Sequence, residues 1–149
     1  MDDTKLMQAA LAEAAKAGKR GEVPIGAVVV RDGRVVARGS NGSIGSSDPT
    51  AHAEIVALRR AAKKAGNYRL PDCELFVTVE PCAMCLGALV QARVRRLVFG
   101  APDPKAGAVS SAMAFPFARL NHRPEIVAGV LAGASAALLR GFFRARRNK

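Results

Sequence analysis

Two short motifs constrain this chain more than anything else in it. One is His52-Ala53-Glu54, within the run Asp48-Pro49-Thr50-Ala51-His52-Ala53-Glu54. The other is Pro81-Cys82-Ala83-Met84-Cys85, directly after Glu80. Two thiolates and one imidazole make three zinc ligands, one fewer than a closed structural site uses, so a fourth position stays free for water. Glu54, two residues from the histidine, is a candidate base for that water. Residues two apart on a regular helix point in nearly opposite directions, so His52 and Glu54 can serve one site only where a helix is just beginning. Pro49 and Thr50 upstream agree with such a start. Cys82 and Cys85, three apart, share one helix face, and in a first turn the free backbone N–H groups and the helix dipole favour thiolate. Both halves must therefore open helices.

The flanking pattern predicts where those helices sit. Asp2 and Asp3 precede Leu6, Met7, Ala10, Leu11, Ala14 and Ala15, apolar positions at helical spacing, with Gly18 and Gly21 closing the helix. Ile25 to Val30 and Val35 to Arg38 flank Arg31-Asp32-Gly33-Arg34, and Asp-Gly between β-branched runs predicts a hairpin. A Gly/Ser-rich loop, 39–47, follows, and Asp48-Pro49-Thr50 offers cap chemistry for a helix through Ala65, stopped by Gly66-Asn67. Glu74 to Val79 predicts a buried strand, Cys82 to Gln91 a helix and Leu97 to Gly100 a strand. The stretch 101–123 contains Pro102, Pro104, Gly107 and Pro116 and is expected to be loop with short helical pieces at most. Ile126 to Val130 predicts a strand, and Leu131 to about Arg147 a closing helix. Strands alternating with helices in the second half imply βαβ units beside the initial hairpin. The expected fold is a three-layer α/β/α sandwich around a mixed, mostly parallel sheet, with residues 1–149 forming one domain.

Composition narrows the function classes. Of 149 residues, half are hydrophobic and 23% charged, which suits a globular domain rather than a disordered chain. The formal charge of +11 makes a polyanionic partner worth considering. Three cysteines form no even disulfide framework, and two of them stand in a metal-type pair. The acidic start lacks the pattern of a secretory signal, and the longest uncharged run, Ile126 to Leu139, is interrupted by Gly129 and Gly133 and too short to span a membrane. A soluble cytoplasmic protein is expected. Other uses of the motifs stay open here: a redox dithiol at Cys82 and Cys85, or a structural zinc completed by Cys73 or His122.

H-x-E followed by P-C-x-x-C is the signature of zinc nucleobase deaminases. The likeness extends through Glu22-Val-Pro-Ile-Gly-Ala-Val, Asn41, Asn67-Tyr-Arg-Leu, Phe99-Gly-Ala, Asp103-Pro-Lys-Ala-Gly, Asn121-His-Arg and Phe142-Phe-Arg-Ala-Arg-Arg. In these blocks, from about residue 6 to residue 147, the chain resembles the bacterial tRNA-specific adenosine deaminases of the cytidine deaminase-like superfamily. The resemblance implies hydrolytic conversion of the wobble adenosine of a tRNA anticodon to inosine. It also implies a homodimer with one Zn²⁺ per subunit, acting on the anticodon stem-loop of an arginine tRNA. His52, Cys82 and Cys85 would hold zinc. Glu54 would shuttle protons while zinc-activated hydroxide attacks C6, and Asn41 would hydrogen-bond a flipped base packed against Ile25.

Arg69, Lys105, Arg144, Arg146 and Arg147 would be phosphate contacts. Phe142 and Phe143 would stack on loop bases, with at least one of them expected in the core. Asp103 would contact a sugar hydroxyl and so help tell RNA from DNA. Small residues at Gly42-Ser43 and Ser46-Ser47, where the family carries bulkier ones, suggest a flexible loop. Gly133 and Gly141 weaken the closing helix. Competing readings are a small-molecule guanine, cytosine or nucleoside deaminase of the same superfamily, a variant acting on single-stranded DNA, and a non-catalytic RNA-binding module with structural zinc.

Overall fold

The hairpin signal is realised as a tight turn. Asp32 and Gly33 both take positive φ, 52° and 73°, the conformation an Asp-Gly turn supplies cheaply. They join β1 (Gly26–Arg31) to β2 (Arg34–Ser40) in antiparallel register, with Arg31 opposite Arg34. The rest of the sheet comes from β3 (Cys73–Val79), β4 (Arg96–Ala101) and β5 (Glu125–Val127), in the order β2-β1-β3-β4-β5. β1 pairs antiparallel with both neighbours, while β3–β4 and β4–β5 are parallel, so β1 alone runs against the other strands. This is a computed structural model, and it describes residues 2–147.

Strand alternation builds the three layers. Val28, Val30, Phe76 and Val98 point to one face, against Leu6, Met7 and Ala10 of α1 (Asp3–Lys19). α4 (Ala132–Arg147) joins that layer through α1, β3 and β4. Ala27, Val29, Leu75, Val77, Leu97 and Phe99 point to the other face, against α2 (Ala53–Ala65) and α3 (Ala83–Ala92). Because successive strand side chains alternate faces, near-continuous apolar runs are what a sheet covered on both sides requires.

Two departures from expectation have local causes. The last strand ends at Val127, short of Val130, because the chain turns at Gly129 (φ 85°) and Leu131 (φ 53°) before α4 begins. Asp2 caps α1 by accepting the Lys5 N–H at 2.9 Å. The Asp48-Pro49-Thr50 segment, by contrast, makes a turn ahead of α2, and another residue caps that helix. Asp48 Oδ1 accepts from Thr50 N at 2.8 Å and from Thr50 Oγ1 at 2.7 Å. Gly39 lets α2 lie close over β2, since a Cβ there would collide with the Ala53 carbonyl oxygen and stand 2.6 Å from Ala57 N. That close approach fixes the start of α2 above the sheet.

Candidate metal centre and active site

His52 and Cys82 are each the residue at which a helix begins. His52 has extended backbone (φ −73°, ψ 152°) ahead of α2, and Cys82 likewise (φ −77°, ψ 173°) ahead of α3. Neither side chain caps its own helix, which leaves both free to converge. His52 Nδ1 stands 3.5 Å from Cys82 Sγ and 3.6 Å from Cys85 Sγ, and the three ligand atoms lie within 4.8 Å of one another. Zinc bonds of about 2.3 Å to sulfur and about 2.0–2.1 Å to nitrogen, at tetrahedral angles, place nitrogen and sulfur about 3.6 Å apart. The donor set fits zinc. Neither Cys73 nor His122 belongs to this group: Cys73 opens β3, and His122 Nε2 lies 2.7 Å from the Val94 carbonyl oxygen. Among the described residues the site is therefore a three-ligand one.

Electrostatics distinguish the two thiols. Hydrogen bonding from Cys85 pulls Cys82 down to about 4, against the opposing effect of burial, with His52 adding to the fall. The same hydrogen bond, together with burial, pushes Cys85 upward. Absent metal, these shifts favour thiolate at Cys82 and thiol at Cys85. The Cys82 thiolate in turn raises the His52 pKa, more than burial lowers it. Glu54 is 4% exposed in the first turn of α2, and burial raises its carboxyl to about 7. A carboxyl near neutrality beside a metal-type cluster suits proton transfer.

Comparison with known proteins decides the family. The MafB19-like deaminase family model matches residues 1–147. The tRNA-specific adenosine deaminase of Agrobacterium fabrum is 50% identical over 146 residues, covering 97% of this chain and 95% of that protein. The chain belongs to the tRNA-specific adenosine deaminase family. The solved structure from studies of A-to-I editing by tRNA:A34 deaminases at the wobble position of transfer RNA is 49% identical to this deaminase. Its TM-score is 0.87, with 91% of this chain and 99% of that chain covered. A guanine deaminase from Bacillus subtilis is similar over a shorter part: 42% identity, TM-score 0.67, 68% of this chain and 66% of that one.

Part of the expected substrate set comes together in the deaminase. Ile25, Asp103, Lys105 and Phe143 line a single groove of about 430 Å³ with Val79 and Leu139. Asn41 ties the groove to the metal cluster. Its N–H donates to the Ile25 carbonyl at 3.1 Å, and its Oδ1 accepts from Ala53 N at 2.8 Å, between His52 and Glu54. The Asn41 amide nitrogen has no hydrogen-bond partner among the described residues. Arg69, Phe142 and Arg144 do not line this groove. Arg69 packs on Tyr68, its guanidinium 5.5 Å from the ring centroid. Phe142 and Phe143 meet edge-on at 5.3 Å, and Arg146 covers Phe142 at 4.9 Å. Neither phenylalanine is in the core, since Phe142 is half-buried and Phe143 is 43% exposed, because α4 lies at the margin with Ser135 its one buried residue. Arg146 and Arg147 are exposed in the last turn of α4.

Two buried carboxylates beside the expected site act as anchors: Glu22 opens one of the blocks that carry the resemblance, and Glu80 directly precedes Pro81-Cys82. Glu22, 4% exposed, accepts from Ile44 N at 3.1 Å and Gly45 N at 2.7 Å. Together with bonds from Asp48 N to Ser43 O and Gly42 N to Ala51 O, it ties down the 42–48 loop, which was expected to be flexible. Glu80, 3% exposed, does the same for the loop that carries Asp103 and Lys105. The available signal was a carboxylate adjoining an apolar strand, a position that leaves a charge buried unless it is hydrogen-bonded.

Proposed function

We propose that this chain is a single zinc-dependent deaminase domain that hydrolyses adenosine to inosine and ammonia at the wobble position of a tRNA anticodon. One observation carries the reading: three metal-type ligands and a buried carboxyl near neutrality converge at two helix starts, in a chain half identical to tRNA-specific adenosine deaminases. His52 Nδ1, Cys82 Sγ and Cys85 Sγ would hold Zn²⁺, which when bound supplies a nucleophilic water at neutral pH. Glu54 would carry one proton of the attacking water to adenine N1 and the second, from the hydroxyl then on C6, to the departing amine, leaving the C6 carbonyl of inosine and ammonia. Its burial supports the role, because a carboxyl at about 7 both accepts and donates near neutral pH. Asn41 offers its amide N–H groups to base acceptors, and the Ile25 wall receives the base's face.

A wobble adenine reaches such a pocket after swinging out of an anticodon loop, where unstacking costs little. Asp103 contacts a sugar hydroxyl, Lys105 a phosphate, and Phe143 stacks on a neighbouring base. Arg69, Phe142, Arg144, Arg146 and Arg147 extend the contact surface beyond the groove, and the net charge of +11 supports an RNA partner. The deaminase works in the cytoplasm as a homodimer with one zinc per subunit. Exposed Met84, Met113 and Leu120 offer apolar surface for that association. No helix among the described residues is long and apolar enough to cross a membrane.

The alternative is a small-molecule deaminase, favoured by the similarity to guanine deaminase over two-thirds of the chain. The deciding experiment incubates zinc-loaded protein with an arginine-tRNA anticodon hairpin bearing a wobble adenosine, its DNA analogue, and free nucleobases, and scores inosine and ammonia. Product from the RNA hairpin, falling steeply between about 50 and 200 mM salt, supports the tRNA reading. No product from that hairpin overturns it. Glu54→Ala should retain zinc and hairpin binding and lose deamination, whereas a structural-zinc RNA binder has no activity to lose.

A further inference from the structure

The loop carrying Asp103 and Lys105 is hydrogen-bonded at both its ends to the two residues just ahead of Cys82. Glu80 Oε1 accepts from Asp103 N at 3.1 Å and from the Ser111 hydroxyl. Its Oε2 accepts from Val109 N at 3.0 Å, Ser110 N at 2.9 Å and Ser111 N at 3.1 Å. Pro81 O accepts from Ala108 N at 2.8 Å. The loop wraps tightly enough that a Cβ on Gly107 would collide with Glu80 Cδ and stand 2.6 Å from Asp103 O.

We propose that Glu80 is a positioning residue for this reaction, holding the substrate lip that bears Asp103 and Lys105 in register with the metal centre. It sets the grip on RNA and takes no part in proton transfer. This rests on the reading of Asp103 and Lys105 as RNA contacts. Four backbone N–H groups converging on one carboxylate require a group that only accepts; an amide in that place would turn donors toward donors. The turn that follows starts from the same anchored residue, because Asp103 Oδ1 accepts from Lys105 N at 3.0 Å and Ala106 N at 3.2 Å. Displacing the carboxylate therefore displaces both contact residues together. His52 and Glu54 are on α2 and its N-cap, and neither Cys82 nor Cys85 shares a hydrogen bond with Glu80, so the chemistry is left intact.

The test uses the zinc-loaded full chain with the adenosine hairpin, and compares wild type with Glu80→Gln, the milder Ser111→Ala, and Gly107→Ala. Glu80→Gln should raise KM for the hairpin about tenfold, the scale of one lost charge-assisted hydrogen bond, with kcat within about twofold and zinc content unchanged. Hydrogen exchange should quicken at the 103–111 amides and not across the sheet. Ser111→Ala should move KM the same way by less, and Gly107→Ala combined with Glu80→Gln should be non-additive, as two lesions in one network are. A fall in kcat at constant KM, loss of zinc, or uniformly faster exchange would overturn the proposal. Should Glu80→Gln fail to fold, an unchanged KM in Ser111→Ala overturns it as well. A wild-type protein inactive on the hairpin sinks the deaminase reading instead, and the exchange pattern still decides whether Glu80 holds the lip.

Discussion

Asn41 Oδ1 accepts the Ala53 backbone N–H at 2.8 Å, so the side chain expected to grip the base also caps the helix that carries Glu54. His52 occupies the capping position and makes no capping bond, because its ring faces the two cysteines. Asn41 thus satisfies a helix N–H that the metal ligand leaves open. A candidate base contact bonded to the turn between His52 and Glu54 keeps all three in fixed relation.

Substitutions at Asn41 should separate the two jobs. Asn41→Asp keeps an acceptor for Ala53 N and removes the amide donor, while Asn41→Ala removes both. We expect Asn41→Ala to lose about 1 kcal/mol of stability, the usual worth of an N-cap, and Asn41→Asp to lose much less. Both should reduce turnover by about tenfold or more, the scale of a lost hydrogen bond to a polar substrate group. Denaturant melts and initial rates check this, and wild-type turnover in Asn41→Asp would show that the amide is not used.

Metal dependence should follow the ligand set and not cysteine content. Cys85→Ala should abolish zinc binding and activity, whereas Cys73→Ala, which removes a thiol at the start of β3, should keep one zinc per chain. Chelation of the wild type should lower the melting temperature, since zinc joins two helix starts, and added zinc should restore it. Zinc retained by Cys85→Ala would contradict the three-ligand assignment.

Acid stability should carry the signature of Asp3. Its carboxylate bonds Arg96 at 2.9 and 2.5 Å, and Arg96 also bonds Glu74 at 2.8 Å, pinning α1 to the sheet. Those bonds hold the Asp3 pKa below its ordinary 3.8. A depressed folded-state pKa stabilises the protein above the unfolded value, and the stabilisation is lost as pH falls through the folded one. The group is a third exposed, so screening limits the effect to roughly 0.5–1 kcal/mol. Asp3→Asn should be less stable than wild type by that amount at pH 7, and the difference should close below about pH 4. A constant difference down to pH 2 would rule out this linkage.

Gly133 and Gly141 should be replaceable with gain. No heavy atom lies within 4 Å of an ideal Cβ at either position, and neither has positive φ. Alanine there should raise stability by up to about 1 kcal/mol each through helix propensity. The two thermal shifts should add, and a loss of stability would point to a packing role on α4.

The sequence by itself determined the strand alternation, the Asp-Gly hairpin and the demand that His52 and Cys82 each open a helix, because these depend on side-chain period and local backbone geometry. It also carried the three candidate metal ligands and Glu54, through the paired His-x-Glu and Cys-x-x-Cys spacings and the resemblance to zinc deaminases. Tertiary structure alone decided what Glu22, Glu80 and Asn41 hold, since their partners lie at Ile44, Ser110 and Ala53, on separate segments that meet only when the sheet is assembled. It likewise left Phe142 and Phe143 out of the core, because helical period places an apolar face but not the neighbour that covers it. Burial, finally, raised Glu54 toward neutrality, a property of its surroundings that no spacing encodes.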